Sequence, residues 1–123
     1  DEREREIIHK RIRNFAADID KRHGVRTDVD ISRGYPCVVN DAALVKHAAA
    51  LAAEAGLRVK MLPLRTTAED FGFYCTKYPS LFYRLGVGAA AGQPHTATFN
   101  PDEGAIDTGI DYMKRLALQI LKK

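Results

Sequence analysis

The residue best suited to chemistry in this sequence is a histidine within a segment rich in glycine and alanine. His95 lies in the run 93–99, shortly after a nearly continuous apolar stretch at 81–87. In open α/β sheets, ligands bind beyond the carboxyl ends of the strands, and a neutral imidazole is the commonest protein ligand for a transition metal. The sequence therefore makes His95 a candidate metal ligand, while a lone loop histidine also fits a purely structural role.

An acidic pair, Glu69–Asp70, is the second candidate for chemistry. It follows another predicted strand and would face the same cleft as His95 if both strands ended at one edge of a sheet. The same residues also fit a helix start, because Thr66 and Glu69 have the spacing of a capping box, and Thr67 and Asp70 repeat that spacing. From spacing alone, the capping role is favoured.

The remaining histidines and the cysteines carry weaker signals. Three histidines lie in charged or apolar helical surroundings that indicate surface or structural roles: His9, His23 and His47. Cys37 and Cys75 are far apart and form no CxxC pair, so the sequence contains neither a disulfide framework nor a zinc-finger pattern.

Composition limits the class of protein that these residues can serve. The chain has 123 residues, of which 46% are hydrophobic and 28% charged, as in ordinary globular domains. Its formal charge of +3 comes from interspersed charges of both signs, so it gives only weak grounds for nucleic-acid binding. No apolar run has the length of a membrane span, and the first residues do not resemble a signal peptide. We expect a soluble, cytoplasmic protein that binds neither membrane nor nucleic acid.

The first third of the sequence predicts a long helix followed by a strand. Ile8, Ile12, Phe15 and Ile19 recur at helical spacing, and Gly24 is a suitable left-handed end for the helix. Residues 25–32 then alternate between apolar and polar side chains, the pattern of a strand with one wet face. Because a lone strand leaves its edges unpaired, this part is expected to pair with something outside the chain or with a second copy.

The rest of the sequence predicts alternating helices and strands. A helix capped by Asn40 or Asp41 carries an apolar stripe that ends before Gly56. Strands at 57–64 and 81–87, a helix at about 68–77 and a final helix from Asn100 follow. The final helix has its apolar stripe at Ile106, Ile110, Met113, Ala117 and Ile120. This alternation predicts an α/β fold with a parallel sheet.

Several short motifs, taken in order, resemble one enzyme group. They are the helix that begins at Asp1-Glu2, Gly34-Tyr35-Pro36 followed by Val39-Asn40, Ala68-Glu69-Asp70-Phe71, Leu85-Gly86-Val87-Gly88, His95-Thr96-Ala97-Thr98-Phe99 and Asp102-Glu103. Together they resemble the carboxyl-terminal part of metal-dependent amidohydrolases of the hippurate hydrolase, N-acyl-amino-acid amidohydrolase and indole-3-acetyl-amino-acid hydrolase type. These enzymes belong to the zinc-peptidase aminoacylase superfamily.

The resemblance implies a two-domain parent enzyme with a two-metal site, zinc, manganese or a similar ion, that hydrolyses N-acyl amino acids. Residues 1–36 would be the second half of an α+β lid that forms a homodimer, and residues 37–123 the end of the α/β catalytic domain. His95 matches the last metal-binding histidine of the family. Glu69 and Asp70 match an acidic pair near the site.

The resemblance implies that the other metal ligands and the general base of such enzymes belong to an amino-terminal half outside these 123 residues. Since a catalytic zinc site takes about three protein ligands, we expect the 123-residue chain to be inactive by itself. An alternative hypothesis is a binding module without catalysis that dimerises through residues 1–33.

Overall fold

The computed structural model describes residues 1–65 and 67–122, and all regular structure in them is helical. Four helices follow in order: α1 Glu2–His23, α2 Ala42–Glu54, α3 Gly72–Cys75 and α4 Gly104–Leu121. They belong to two compact units. Unit 1 comprises Asp1–Val39 and Arg65–Ser80, and unit 2 comprises Asn40–Leu64 and Leu81–Lys123. None of the helices so described is long and apolar enough to cross a lipid bilayer.

The predicted α/β fold is wrong for the described part of the chain. The segments predicted as strands, 25–32, 57–64 and 81–87, have no strand conformation, so neither the lid strand nor the parallel sheet is present there. The physical reason is that a strand is stabilised by ladder hydrogen bonds to a neighbouring strand. Alternation of apolar and polar residues supplies a buried face but does not supply that neighbour.

The predicted end of α1 at Gly24 is confirmed, and its start is capped by Asp1. The carboxylate of Asp1 accepts a hydrogen bond of 2.9 Å from the backbone N–H of Glu4. Gly24 ends the helix in the left-handed conformation, with φ at 62°. Acidic residues occupy the first turn and basic residues the last, the arrangement that the helix dipole favours. No residue of α1 is buried, so these local interactions rather than a core define the helix.

Side chains of α1 hold the segment 33–37 in unit 1. The guanidinium of Arg5 donates hydrogen bonds to the carbonyl oxygens of Arg33, at 2.9 Å, and Tyr35, at 2.7 Å. Glu2 accepts a hydrogen bond of 3.0 Å from the backbone N–H of Cys37. That hydrogen bond is the main reason why the pKa of Glu2 lies below its ordinary value of 4.5.

Helix α3 packs closely on this same segment. Its first residue, Gly72, lies so near the backbone of Pro36 that a β-carbon there would be 2.9 Å from the Pro36 carbonyl carbon. The rings of Tyr35 and Phe73 meet edge to face at 6.0 Å between centroids. Helix α3 is shorter than the predicted helix at 68–77, because it begins only at Gly72 and ends at Cys75.

Unit 2 has its core where α2 packs on α4. The core consists of five buried residues, three from α2 and two from α4: Ala48, Leu51, Ala52, Tyr112 and Leu116. The hydroxyl of Tyr112 donates a hydrogen bond of 2.9 Å to the carbonyl oxygen of Ala48. Its burial raises the pKa of the Tyr112 phenol. The ring of Tyr83 packs edge to face on Tyr112, with 5.3 Å between centroids.

The start of α2 agrees with the sequence prediction, whereas the start of α4 does not. Of the two predicted caps, Asn40 and Asp41, it is Asp41 that caps α2, accepting a hydrogen bond of 2.9 Å from the N–H of Leu44. Helix α4 begins at Gly104 rather than at Asn100, and its buried residues are Tyr112 and Leu116. The stripe predicted to be buried is exposed instead, because the alanine-lined face of α2 receives the tyrosine ring.

Asn40 fixes the segment 81–87 in unit 2. Its side-chain amide donates to the carbonyl oxygen of Phe82 at 2.8 Å and accepts from the N–H of Phe82 at 2.7 Å. One side chain thus satisfies both backbone groups of a single residue, in the way that a neighbouring strand would. The segment is thereby held beside α2 and α4, at the entrance to the loop that carries His95.

Candidate functional site

His95 lies in a loop of unit 2 whose base is closed by backbone hydrogen bonds. The N–H of Asp102 donates to the carbonyl oxygen of Val87 at 2.9 Å, and the N–H of Asn100 donates to that of Ala91 at 2.8 Å. Ala91 is only 4% exposed, so the base of the loop is anchored by burial as well. These contacts hold the loop as a closed projection between the segment 81–87 and α4.

The interior of the loop is compact. Gly92 has φ at 75°, and a β-carbon there would be 3.0 Å from the carbonyl oxygen of Thr98. Thr96 donates a hydrogen bond of 2.8 Å to the carbonyl oxygen of Gln93, and its hydroxyl lies 3.2 Å from that of Thr98. The hydroxyl groups of Thr96 and Thr98, which follow His95 in the chain, therefore make hydrogen bonds within the loop.

His95 has an unusual backbone conformation at this position. It is exposed, and with φ at 66° it is the one non-glycine residue with positive φ in the part of the chain that the structure describes. Histidine is among the residue types enriched in the left-handed region. The imidazole of His95 is therefore accessible to solvent on a turn of defined backbone conformation.

The acidic pair lies in unit 1, apart in the chain from this loop. Glu69 is half-buried and Asp70 is exposed. Their carbonyl oxygens accept hydrogen bonds from the N–H groups of Gly72, at 3.1 Å, and Phe73, at 3.0 Å, in the turn that leads into α3. The structure thus places these two residues in one unit and His95 in the other.

The favoured capping role of the acidic pair does not hold for the residues that can be described. The N-cap of α3 is Phe71, and no side chain caps this helix. The capping box that begins at Thr66 lies outside the described residues. The position of the acidic pair near a catalytic site stays a prediction.

Whether the described residues could hold a metal ion by themselves depends on how many metal-binding side chains lie close together. Within residues 1–65 and 67–122, no group of three or more histidine, cysteine, aspartate or glutamate side chains is arranged to bind one. A catalytic zinc site takes about three protein ligands and an open position. These residues therefore do not form a complete metal site by themselves, and the role of His95 as a metal ligand stays a prediction.

Sequence reasoning missed the polar residues that position the loop. Neither the hydrogen bonds of the Asn40 side chain to Phe82 nor that of the Tyr112 hydroxyl was predicted. No short motif identifies either role, because each depends on a partner far along the chain: Phe82 for Asn40 and Ala48 for Tyr112. The spacing of hydrophobic residues likewise does not predict the positive φ of His95.

Comparison with known proteins identifies the family. The family description "Peptidase family M20/M25/M40" matches residues 8–119. Among curated relatives, the N-acetyldiaminopimelate deacetylase of Pediococcus pentosaceus is 35% identical over 107 residues, which are 85% of this chain and 28% of the relative. The proteins of the same name from Lactobacillus acidophilus and Limosilactobacillus fermentum are 32% and 38% identical, over 87% and 86% of this chain and 28% of each relative.

The chain thus spans less than a third of the length of these relatives. No solved structure gives a significant match. The matches confirm the resemblance to metal-dependent amidohydrolases that the ordered motifs predicted. This chain belongs to peptidase family M20/M25/M40.

Proposed function

We propose that this chain is part of a metal-dependent amidohydrolase that removes the acyl group from an N-acylated amino acid. The observation that carries the proposal is the family match over residues 8–119, together with relatives that are named N-acetyldiaminopimelate deacetylase. An N-acetylated diamino acid of that type is the substrate class we propose for the whole enzyme. A cytoplasmic location stays a prediction.

His95 is the residue of this chain that we propose for the metal site. Enzymes of this family generally depend on divalent metal ions, and zinc or manganese is our proposal for the ion here. A divalent ion bound in such an enzyme supplies Lewis-acid activation of the amide and of water. The exposed imidazole at the tip of a closed loop is suited to contribute one ligand. Glu69 and Asp70 are proposed as acidic residues near the site.

The isolated chain is expected to be inactive, because its described residues do not form a complete metal site. We expect no hydrolysis of N-acetyldiaminopimelate by the purified chain with added Zn²⁺ or Mn²⁺. A chimera in which this chain replaces the matching region of the Pediococcus pentosaceus enzyme is expected to be active. The activity of the isolated chain and of the chimera is measured as the rate of acetate release. Turnover by the isolated chain, or a folded chimera without activity, would contradict the proposal.

A second candidate function, that of a dimerising module, is favoured by α1. Its apolar stripe is largely exposed, at 53% for Ile8, 45% for Ile12 and 66% for Phe15. The helix begins with acidic and ends with basic residues. Two copies in antiparallel contact would therefore bring opposite charges together at both ends. We propose, as this alternative, that residues 1–33 mediate a homodimer.

Phe15→Asp should convert such a dimer into a monomer, because it places a carboxylate in the middle of the apolar contact. Ala17→Asp is the matched control, since it adds the same charge to an exposed position on the opposite side of α1. Sedimentation equilibrium of the chain and of both variants measures their molecular masses in solution and so distinguishes monomer from dimer. A wild-type chain that remains monomeric at high micromolar concentration would exclude this role for α1.

A further inference from the structure

The two cysteines of the sequence lie in the same compact unit, although they are far apart along the chain. Cys37 ends the segment 33–37 that α1 holds, and Cys75 is the last residue of α3. Both belong to unit 1, both are free thiols, and both are half-buried. A half-buried thiol stays open to small reagents in solvent. Unit 1 therefore carries two reactive side chains that the proposed function does not use.

The close approach of Gly72 to the segment 33–37 brings the two cysteines towards one another. A β-carbon on Gly72 would be 3.4 Å from the carbonyl carbon of Cys37, so this face of α3 points at Cys37. Cys75 shares that face, because residues three apart in a helix have β-carbons about 5 to 6 Å from one another. Side chains of a helix lean towards its amino terminus, so Cys75 leans back over Gly72. These distances place the β-carbon of Cys75 within roughly 9 Å of the carbonyl carbon of Cys37.

Other contacts hold both backbones in this arrangement. The backbone N–H of Cys37 donates a hydrogen bond of 3.0 Å to the carboxylate of Glu2 in α1. The rings of Tyr35 and Phe73 meet edge to face and so join the same segment to α3 a second time. A bond between cysteines forms most readily where the fold already holds them together, because little further chain entropy is lost on closing the loop.

We propose that Cys37 and Cys75 form a reversible disulfide when the chain meets a small oxidising disulfide such as oxidised glutathione. A disulfide needs β-carbons about 3.5 to 4.5 Å apart, a separation that lies within the limit set by the contact at Gly72. The proposal is independent of the proposed function, since it rests on the contacts of unit 1 alone.

The reaction is a pair of thiol–disulfide exchanges. One chain thiolate attacks a sulfur of oxidised glutathione, which breaks the glutathione S–S bond, forms a mixed disulfide and releases one glutathione thiolate. The second chain thiolate attacks the chain sulfur of that mixed disulfide and expels the other glutathione. The two cysteines lose two electrons, which the glutathione disulfide gains, and their two protons pass to the two glutathione thiolates. Excess reduced glutathione reverses both steps.

The bond would join α3 to α1 through the segment 33–37. The turn that leads into α3 carries the acidic pair, and the carbonyl oxygens of Glu69 and Asp70 accept hydrogen bonds from Gly72 and Phe73. Oxidation would therefore stabilise unit 1 and restrict the backbone that carries the two carboxylates. Reduction would release that restriction.

The equilibrium with glutathione tests the proposal in the full chain of 123 residues. The chain, at low micromolar concentration, is incubated in buffers with fixed ratios of reduced to oxidised glutathione. Remaining thiols are alkylated with iodoacetamide, and the products are counted by mass spectrometry. A tryptic digest without reductant should contain the peptides 34–46 and 66–77 joined to one another. The equilibrium constant gives the effective concentration of one chain thiol for the other.

The effective concentration should be at least about 10-fold higher in the folded chain than in the same chain unfolded in urea. Cys75→Ser combined with Lys77→Cys is the matched control. It keeps nearly the same loop length but moves the thiol by two residues, to an exposed position on the other side of the turn. The control should resemble the unfolded chain. Because the fold and the bond favour each other equally, oxidation should slow exchange of the Cys37 amide by at least about 10-fold.

Three results would overturn the proposal. The first is an effective concentration that is equal in the folded and the unfolded chain. The second is an oxidised product with glutathione on both cysteines, or with two chains joined on a non-reducing gel, and no bond within the chain. The third is an equal constant for the wild-type chain and the control variant, because the bond would then not depend on the face of α3 that carries Gly72.

Discussion

His95→Asn in the chimeric deacetylase should lower the rate of N-acetyldiaminopimelate hydrolysis by at least about 100-fold. Loss of a residue that merely supports a metal ligand costs about 10- to 100-fold, and a ligand itself should cost at least the upper value. Asparagine is chosen because it tolerates the left-handed conformation that His95 adopts at φ 66°. The substitution therefore removes the imidazole without straining the loop.

Metal content separates this explanation from a general loss of structure. The purified variant should contain less divalent metal per chain than the parent chimera, as measured by atomic emission. His23→Ala, at an exposed position in the last turn of α1, should change neither activity nor metal content. Unchanged metal stoichiometry in His95→Asn would show that His95 is not a ligand.

Gly72→Ala should destabilise unit 1 by about 3 kcal/mol, at the upper end of the usual cost of overpacking. The added methyl group would overlap the carbonyl of Pro36, whose carbon is 2.9 Å from the position it would take. Backbone atoms cannot move aside as a flexible side chain can. Either α3 must separate from the segment 33–37, or that segment must leave α1.

Hydrogen exchange localises this effect. The amide of Cys37, which donates to Glu2, should exchange much faster in Gly72→Ala than in the wild-type chain. Gly86→Ala is the control, because Gly86 has open space around it and no positive φ. Protection of the Cys37 amide that is equal in both variants would show that the close approach of Gly72 and Pro36 does not stabilise unit 1.

The helices could be predicted because their signals are local. Gly24 marks the end of α1, and Asp41, one of the two predicted caps, marks the start of α2, through contacts within four residues. The strand predictions at 25–32, 57–64 and 81–87 failed because their stabilisation would have to come from partners elsewhere. Alternation along a chain indicates which side chains share a face, but it does not show that a pairing strand is present.

The buried face of α4 was assigned incorrectly for a different reason. Hydropathy ranks Ile106, Ile110 and Met113 above tyrosine, and so selects the wrong stripe. The real choice is set by shape and hydrogen bonding: Ala48 and Ala52 leave room for a ring, and the hydroxyl of Tyr112 finds the carbonyl of Ala48. At the site, the loop position of His95 was predicted correctly, whereas its left-handed turn could not be.

The hydrogen bond between Tyr112 and Ala48 has a consequence for how the protein is made. Its partners are 64 residues apart, so at usual elongation rates Tyr112 is synthesised roughly 3 to 13 seconds after Ala48. During that interval the nascent α2 has no α4 to cover it. A helix whose contact face is mostly alanine offers chaperones and other nascent chains little to bind, which makes such a wait tolerable.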